Sequence, residues 1–334
     1  MARASSRPGI TDVAKLAGVS LSTVSRAMNG NPTVDPALAE RVQAAAVQLG
    51  YTANPVARSL VLGRTQTVAV VIPDLENPTF QAVLRGLSRA ATADGFHVLV
   101  ADSREDLDAE QALARATRLR TDGVILCAPR MPEAELGELL SALSPAVVIN
   151  RGAQDGAPVV GADYESGMRE IVDHLTALGH RRLVYLAGAT RSVTHRARQR
   201  AIAEAVARTA DLDVREIAAG VDFDSGTAVA DQVLATGATG VIAYNDLVAM
   251  GLLSALTARG VAVPEAISIT GFDDIPFAAY TSPPLSTAAV PAVELGERAW
   301  AAMHAQLTGG EATPMLTLTP TLVVRGSSAP PRTV

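Results

Sequence analysis

One cysteine in 334 residues leaves no partner for an internal disulfide. A chain built this way suits a reducing compartment. That cysteine, Cys127, sits inside the apolar run GVILCA and reads as a small core side chain. Long hydrophobic runs are also missing. None approaches the ~18–20 apolar residues of a membrane span, and the opening MARASSRPGITD carries no apolar stretch of the export-signal kind. The expected setting is the cytoplasm, with no membrane partner. Charged residues make up 19% and aromatic residues 3%, while hydrophobic residues reach 48%. That balance excludes a disordered chain and leaves a globular protein of two or three domains.

Enzyme signatures are absent as well. There is no G-x-G-x-x-G, no G-x-x-x-x-G-K-[ST] and no G-x-S-x-G. The five histidines (His97, His174, His180, His195 and His304) form no i, i+4 pair and no metal spacing. The expectation is therefore no catalytic residue, no metal and no cofactor.

Charge is unevenly spread. Residues 1–66 hold seven basic and three acidic side chains, net +4, whereas the remainder is net −10. A basic head on an acidic body points to an anionic partner for the head. Residues 1–9 read as a tail, and 10–52 as three short helices. Thr11 is placed as the N-cap of the first helix, and Ser20 caps the second after the Gly18-Val19 turn. Asp35-Pro36 opens a third helix to about Leu49, and Gly50 ends it. In GVSLSTVSRAMNG, helical spacing turns Val24, Ala27 and Met28 inward. It turns Leu21, Ser22, Ser25, Arg26 and Asn29 outward. Two helices joined by a glycine turn make a helix-turn-helix, whose second helix enters the DNA major groove. Hydroxyls and amides suit phosphate oxygens, and Arg26 alone on this face can grip guanine O6 and N7 together. Taken alone, the same face also fits an amphipathic helix in a bundle. Residues 53–66 read as a linker with up to two helical turns, too short to be stable in isolation.

From Thr67 the texture changes. Apolar runs (TVAVVI, FHVLV, GVILCA, AVVIN, RLVYLAG, GVIAY, ISITGF) alternate with helical-period spacers at 77–94, 106–120, 164–178, 194–209, 246–259 and 291–308. This is βα alternation with strands buried on both faces, enough for two parallel doubly wound sheets. Open sheets of this kind bind ligands beyond the carboxyl ends of their strands. Asp74, Asn150, Asn245-Asp246 and Asp273-Asp274 stand there, with Arg198 early in the helix after RLVYLAG. Asp246 is read as a helix N-cap, Asp274 as a cap or local ion pair, and His180 as a helix-end cap. His195 falls near the cleft. With Phe80 and Phe223 as rare flat faces, the set suits a polyhydroxylated ligand such as a sugar.

DVAKLAGVSLSTVSRAMN at 12–29 and LGYTANPVARSL at 49–60 closely resemble the lac repressor family of bacterial transcription regulators. The likeness continues through IPDLENPTF, HLTALGHRRLVYLAG, NDLVAMG and ISITGFDDIPFAAYTSPPLSTAAVP, over about 10–326. It implies an all-α head followed by a two-lobed, periplasmic-binding-protein-like α/β core. The core would span 67–326, with one lobe from about 67–161 and 292–321 and the other from about 162–291 and 322–326, and a tail at 327–334. Leu21, Ser22 and Arg26 would read bases. Thr11, Ser20, Thr23, Ser25 and Asn29 would hold phosphates. The linker would become a hinge helix on DNA, with Leu60 as a minor-groove wedge and Ala57 close to the groove floor. Asn77, Phe80, Asn150, Arg198, Phe223, Asn245 and Asp273 would bind the effector. Many members carry Gly-aromatic shortly after that arginine, where this chain has Ala201-Ile202. The resemblance implies a homodimer on near-palindromic double-stranded operator DNA. It also implies a repressor of carbohydrate-related genes, released by a sugar or sugar derivative. A corepressor-dependent regulator is the alternative with the same parts; a sugar-binding protein of this fold, or a sugar-modifying enzyme, is the alternative of another class.

Overall fold

The computed structural model describes residues 8–29, 31, 33–52, 63–311 and 313–332. Two compact units divide between Gln66 and Thr67. Ala57 and Leu60 lie outside the described residues.

The first unit holds α1 (Ile10–Ala17), α2 (Leu21–Met28) and α3 (Pro36–Leu49). Thr11 does not cap α1. Gly9 is the N-cap, and its N–H donates to Asp12 Oδ2 at 2.9 Å. The helix starts earlier because Ile10 packs on the head core, which leaves Thr11 exposed in the first turn. Ser20 caps α2 by accepting from Thr23 N at 3.2 Å. Asp35 Oδ1 accepts from Ala37 N and Leu38 N at 2.9 and 3.2 Å, and Pro36 follows at N1. Val13, Val24 and Val42 are fully buried and form the centre of this small core, with Ala27 and Met28 packed against it. Arg41 Nη2 donates to Ala17 O at 2.6 Å and so ties α3 to the end of α1.

The second unit has two six-stranded sheets. The first contains β1 (Thr67–Ile72), β2 (His97–Asp102), β3 (Gly123–Cys127), β4 (Ala146–Ile149), β5 (Val159–Ala162) and the late β11 (Met315–Leu318). Its order is β11-β5-β4-β3-β1-β2, all parallel. The second contains β6 (Arg182–Ala187), β7 (Asp213–Ala218), β8 (Gly240–Ala243), β9 (Ser268–Asp273), β10 (Ser286–Ala289) and β12 (Thr321–Val323). It runs β12-β10-β9-β8-β6-β7, parallel except for the antiparallel edge β12. The helices are α4 (Pro78–Ala93), α5 (Leu107–Arg118), α6 (Glu133–Leu143), α7 (Tyr164–Ala177), α8 (Val193–Arg208), α9 (Phe223–Ala228), α10 (Ala230–Ala235), α11 (Asp246–Ala258) and α12 (Ala292–Thr308).

All seven apolar runs are strands. Periodicity misses β5, β7, β10, β11 and β12. Four of these have four residues or fewer, and β7 is an edge strand whose DVREIA neither alternates strictly nor forms a buried apolar run. The segment read as a tail also departs from expectation at its start. Ser327 is fully buried, donating to Ile269 O at 2.6 Å and accepting from Ser286 N at 2.8 Å. His180 serves this segment rather than a helix end: its Nε2 lies 2.9 Å from Ala329 O and its Nδ1 2.9 Å from Thr239 Oγ1.

Each lobe contains a helix pair in backbone contact. A Cβ on Gly296 of α12 would overlap the Val83 carbonyl of α4, and one on Gly86 the Val293 carbonyl. Gly226 of α9 and Gly251 of α11 repeat the arrangement against Val248 and Phe223. In an open helix Gly→Ala is stabilising by a few tenths of a kcal/mol or more. Here overpacking reverses the sign. Gly296→Ala is expected to destabilise the core by about 1–2 kcal/mol, read as a lower midpoint in urea unfolding; an unchanged or raised midpoint would refute the close crossing.

Candidate functional site

Two places in the molecule are chemically equipped. On α2 of the head, Leu21 is 49% exposed, and Ser22 and Arg26 are exposed beside it. Thr23, Ser25 and Asn29 are half-buried on the same helix and its end. Ser20 Oγ lies 2.8 Å from Ser22 Oγ and 2.9 Å from Thr23 Oγ1, so a hydroxyl cluster marks the helix N-terminus. Orphan backbone donors at such a terminus favour an anion. Arg26 Nε donates to Ser22 O at 3.3 Å. That bond lays the side chain along the helix and leaves its Nη groups without a protein partner among the described residues.

The second place is the cleft between the two sheets, where the strand ends meet. Its lining includes Asn77, Phe80, Asn150, Arg198, Asn245 and Asp273. Arg198 is the centre. It is 2% exposed, with its guanidinium 4.5 Å from the ring centre of Tyr164, 4.5 Å from Tyr244 and 4.2 Å from Phe272. Tyr164 and Phe272 stack on each other at 5.4 Å. Aromatic faces stabilise a desolvated cation here, in place of the water it has lost. Nη1 donates to Thr194 Oγ1 at 3.0 Å, while Nε has no partner among the described residues.

Asp273 ends β9 with a φ of 111°, a left-handed conformation that costs a non-glycine residue energy. Its Oδ2 accepts from Thr79 Oγ1 at 2.8 Å, a bond that crosses from the second lobe to the first. Burial pushes its carboxyl up to about 6, with Arg198 and then the Thr79 hydrogen bond pulling the other way. The sign follows from linkage. Between about pH 4 and 6 the folded protein holds a proton that the unfolded chain releases, so stability from this residue falls as pH rises through that window. Asp273→Asn is expected to raise the melting temperature at pH 7.5 and to gain much less at pH 4.5; equal shifts at both values would show that the carboxylate is not strained by burial.

The three predicted amides are partly committed to the fold. Asn77 caps α4 by accepting from Thr79 N at 2.9 Å. Asn245 caps α11, accepting from Val248 N at 2.9 Å while donating to Val221 O at 2.8 Å. Asn150 accepts from Ala162 N at 3.0 Å and donates to Tyr164 Oη at 3.0 Å. Each keeps one donor hydrogen or one lone pair for a ligand. Asn245 therefore has the capping role expected of Asp246. Asp246 instead is fully buried beneath the cleft, accepting from Thr287 Oγ1 at 2.6 Å and Ile275 N at 2.8 Å. Burial, then the nearby Asp273, raises its carboxyl well above the ordinary range. Asp274 neither caps nor pairs with a near neighbour in the chain: its partner is Arg325, 51 positions on, at 2.7 Å.

Phe223 is not in the cleft. It starts α9, is 45% exposed, and its backbone is held against Gly251. Ala201 and Ile202 pack in the core rather than forming a floor. His195 stands one layer back, its Nδ1 3.1 Å from Tyr185 Oη. Sequence reasoning missed Thr79, Glu105, Arg130, Tyr164 and Tyr244, which also line the cleft. Tyr244 closes the run GVIAY, one residue before the position the strand-end rule selects, and Arg130 stands two residues past the run GVILCA, so the rule widened by one residue back and two forward finds them; Glu105 carries no such signal. Arg130 is locked to Glu105 by a two-pronged pair, both distances 2.7 Å.

The profile of the bacterial regulatory proteins of the lacI family matches residues 9–54, and that of the periplasmic binding protein-like domain matches 172–328. The chain is 32% identical to the HTH-type transcriptional regulator AscG of Escherichia coli (strain K12), over 96% of this chain and 98% of that protein. Its fold matches the lac repressor dimer bound to operator and the anti-inducer ONPF with a TM-score of 0.87 at 26% identity, covering 97% of this chain and 100% of that one. It matches the transcriptional regulator CelR in complex with cellobiose with a TM-score of 0.69 at 28% identity, covering 96% and 100%.

Proposed function

The chain belongs to the lacI family of bacterial regulatory proteins and is a DNA-binding transcription regulator, and we propose that it is a cytoplasmic repressor of carbohydrate-related genes, released from its operator by a small sugar-like effector. The observation that carries this reading is the caged Arg198 beside Asp273 in an interlobe cleft. A fixed cation, a carboxylate and spare amide groups suit the hydroxyls of a sugar.

At the head, Arg26 reads guanine, Leu21 meets a thymine methyl and Ser22 contributes a hydroxyl. Thr11, Ser20, Thr23, Ser25 and Asn29 hold phosphates and set the register. Leu60 and Ala57 act in the minor groove, one pair from each subunit. The dimer this requires has apolar surface available for it: Phe223, Phe277 and Tyr280 stand exposed on the second lobe, and Leu99 and Val100 on the β2 edge of the first. Regulation follows from the Thr79–Asp273 bond between lobes. A ligand that takes over Asp273 and Arg198 replaces that bond and changes the lobe arrangement. It acts only through its different affinity for the two arrangements, with a coupling of about 1–3 kcal/mol.

The test is selection of binding sites from a random duplex library with the full-length protein at near-physiological salt, which suppresses non-specific phosphate binding. An enriched palindrome whose binding is lost on adding a sugar mixture is the expected result. Binding strengthened by the sugars makes it a corepressor-dependent regulator. No enriched site with or without sugars counts against operator recognition.

A further inference from the structure

The inner cleft is small: about 40 Å³ of free space remains around Arg198 and Asp273. Ligand pockets generally run to about 300–1,000 Å³. The cleft does not stop there, however. Arg130, rigidly held by Glu105, lines the inner cleft and also a second chamber of about 660 Å³. A smaller space of about 230 Å³, bordered by Glu105, Leu107, Arg130 and Thr190, shares walls with both. Arg130 is thus a sill between an inner and an outer compartment.

The outer chamber has two chemically different walls. The first lobe contributes Asp108 and Gln111 from α5, and Glu135 from α6. The second lobe contributes Arg191 and Arg196 around the start of α8. Arg191, Arg196 and the Asp108 carboxylate are exposed and make no side-chain hydrogen bond or ion pair among the described residues. Arg151 is 6% exposed in the chamber wall. It donates to Glu133 at 2.7 Å and to Pro129 O at 3.2 Å, and its Nε has no partner among the described residues. The four arginines of the wall are matched by Asp108, Glu133, Glu135 and, paired to Arg130 at the sill, Glu105, so the chamber offers no net positive field for a phosphate or carboxylate. It offers the free Arg191 and Arg196 donors on one side and, on the other, the Asp108 carboxylate and the acceptor capacity left on Glu135 after Gln111 Nε2 donates to its Oε2 at 2.6 Å. A sugar hydroxyl both donates and accepts, and a row of them satisfies both walls at once.

We infer that the effector is a neutral oligosaccharide of at least two sugar units, with one ring admitted against Arg198 and Asp273 as it displaces the Thr79–Asp273 bond and parts the lobes, and the next beyond Arg130, between Asp108 and the Arg191–Arg196 wall. This rests on the sugar-effector reading above and extends it. The outer unit supplies recognition through Arg191, Arg196, Asp108 and Gln111, none of which the inner site uses.

The experiment is calorimetric titration of the full-length protein with glucose, galactose and fructose, with maltose, cellobiose, lactose and sucrose, and with glucose 6-phosphate and glucuronate. A disaccharide is expected to bind at least about tenfold more tightly than either of its component monosaccharides. The double variant Arg191→Ala/Arg196→Ala should lose about tenfold in that affinity while its operator affinity and melting temperature stay at parent values. Equal affinity for a disaccharide and its monosaccharide overturns the inference and leaves the sugar reading intact. So does full disaccharide affinity in the double variant, or preference for the phosphate or uronate. Binding by none of the panel overturns both.

Discussion

Arg26→Ala is expected to remove most of the operator preference of this regulator while leaving its fold intact. The side chain is exposed on α2, with its only hydrogen bond among the described residues a 3.3 Å contact from Nε to Ser22 O. Its loss therefore creates no cavity and no buried orphan. Among the outward residues of the helix it alone presents two parallel donors, the geometry that matches guanine O6 and N7. One such pair is worth about 1–3 kcal/mol of discrimination. A dimer uses two copies, so the specific affinity should fall by about 30-fold to about 3 × 10⁴-fold, with non-specific binding reduced only modestly. Competition binding of the selected operator against scrambled duplex, at one fixed salt concentration, measures this. If the ratio of specific to non-specific affinity in the variant matches the parent, then Leu21 and the hydroxyl cluster at Ser20 and Ser22 carry the readout instead. Arg26→Lys should recover charge but not preference, because an ammonium lacks the planar fork.

Arg198→Met should produce the opposite phenotype, in which operator binding survives and the effector response disappears. Methionine fills much of the space between Tyr164, Tyr244 and Phe272, and its sulfur packs well on aromatic rings. The variant thus loses the charge with limited loss of packing. It removes the buried cation that faces Asp273, together with the bond to Thr194 Oγ1. Hydrogen bonds to charged groups are worth about 1.5–3 kcal/mol each, so effector affinity should drop by at least about 10–100-fold. Operator release measured across an effector titration should be flat where the parent responds. A variant that releases DNA at parent effector concentrations would move the ligand site away from this cleft. The same variant carries an internal check: without Arg198 the Asp273 carboxyl loses its largest opposing influence and should titrate higher still.

The two sites were not equally legible in the sequence. The head is a local object. Ser20, Asp35-Pro36 and Gly50 are capping residues whose bonds reach two to four residues, and Val24, Ala27 and Met28 face inward by helical period alone. Its one misplacement, Thr11 for Gly9, arose because Ile10 gains more from packing on the head core than a threonine cap gains from its hydroxyl. The strand-end rule was similarly productive in the core. It selected Asn150, Asn245 and Asp273 because in a parallel sheet all carboxyl ends point to one side.

What the sequence determined by itself, then, is everything that depends on period and near neighbours: the three head helices, the seven strands of the apolar runs, of which β2 proves an exposed edge rather than a buried strand, and the end of each strand where chemistry gathers. Tertiary structure decided which of those chemistries meet. The rings around Arg198 come from the start of α7, the residue after β8 and the interior of β9. Thr79 meets Asp273 across 194 positions of chain. Asp246 is drawn under the cleft floor by Thr287 and Ile275, and Phe223 is turned outward because Gly251 admits the backbone of α9 against α11. Spacing along the chain carries no information about such encounters, since they depend on how two separately wound sheets face each other once every strand is in place.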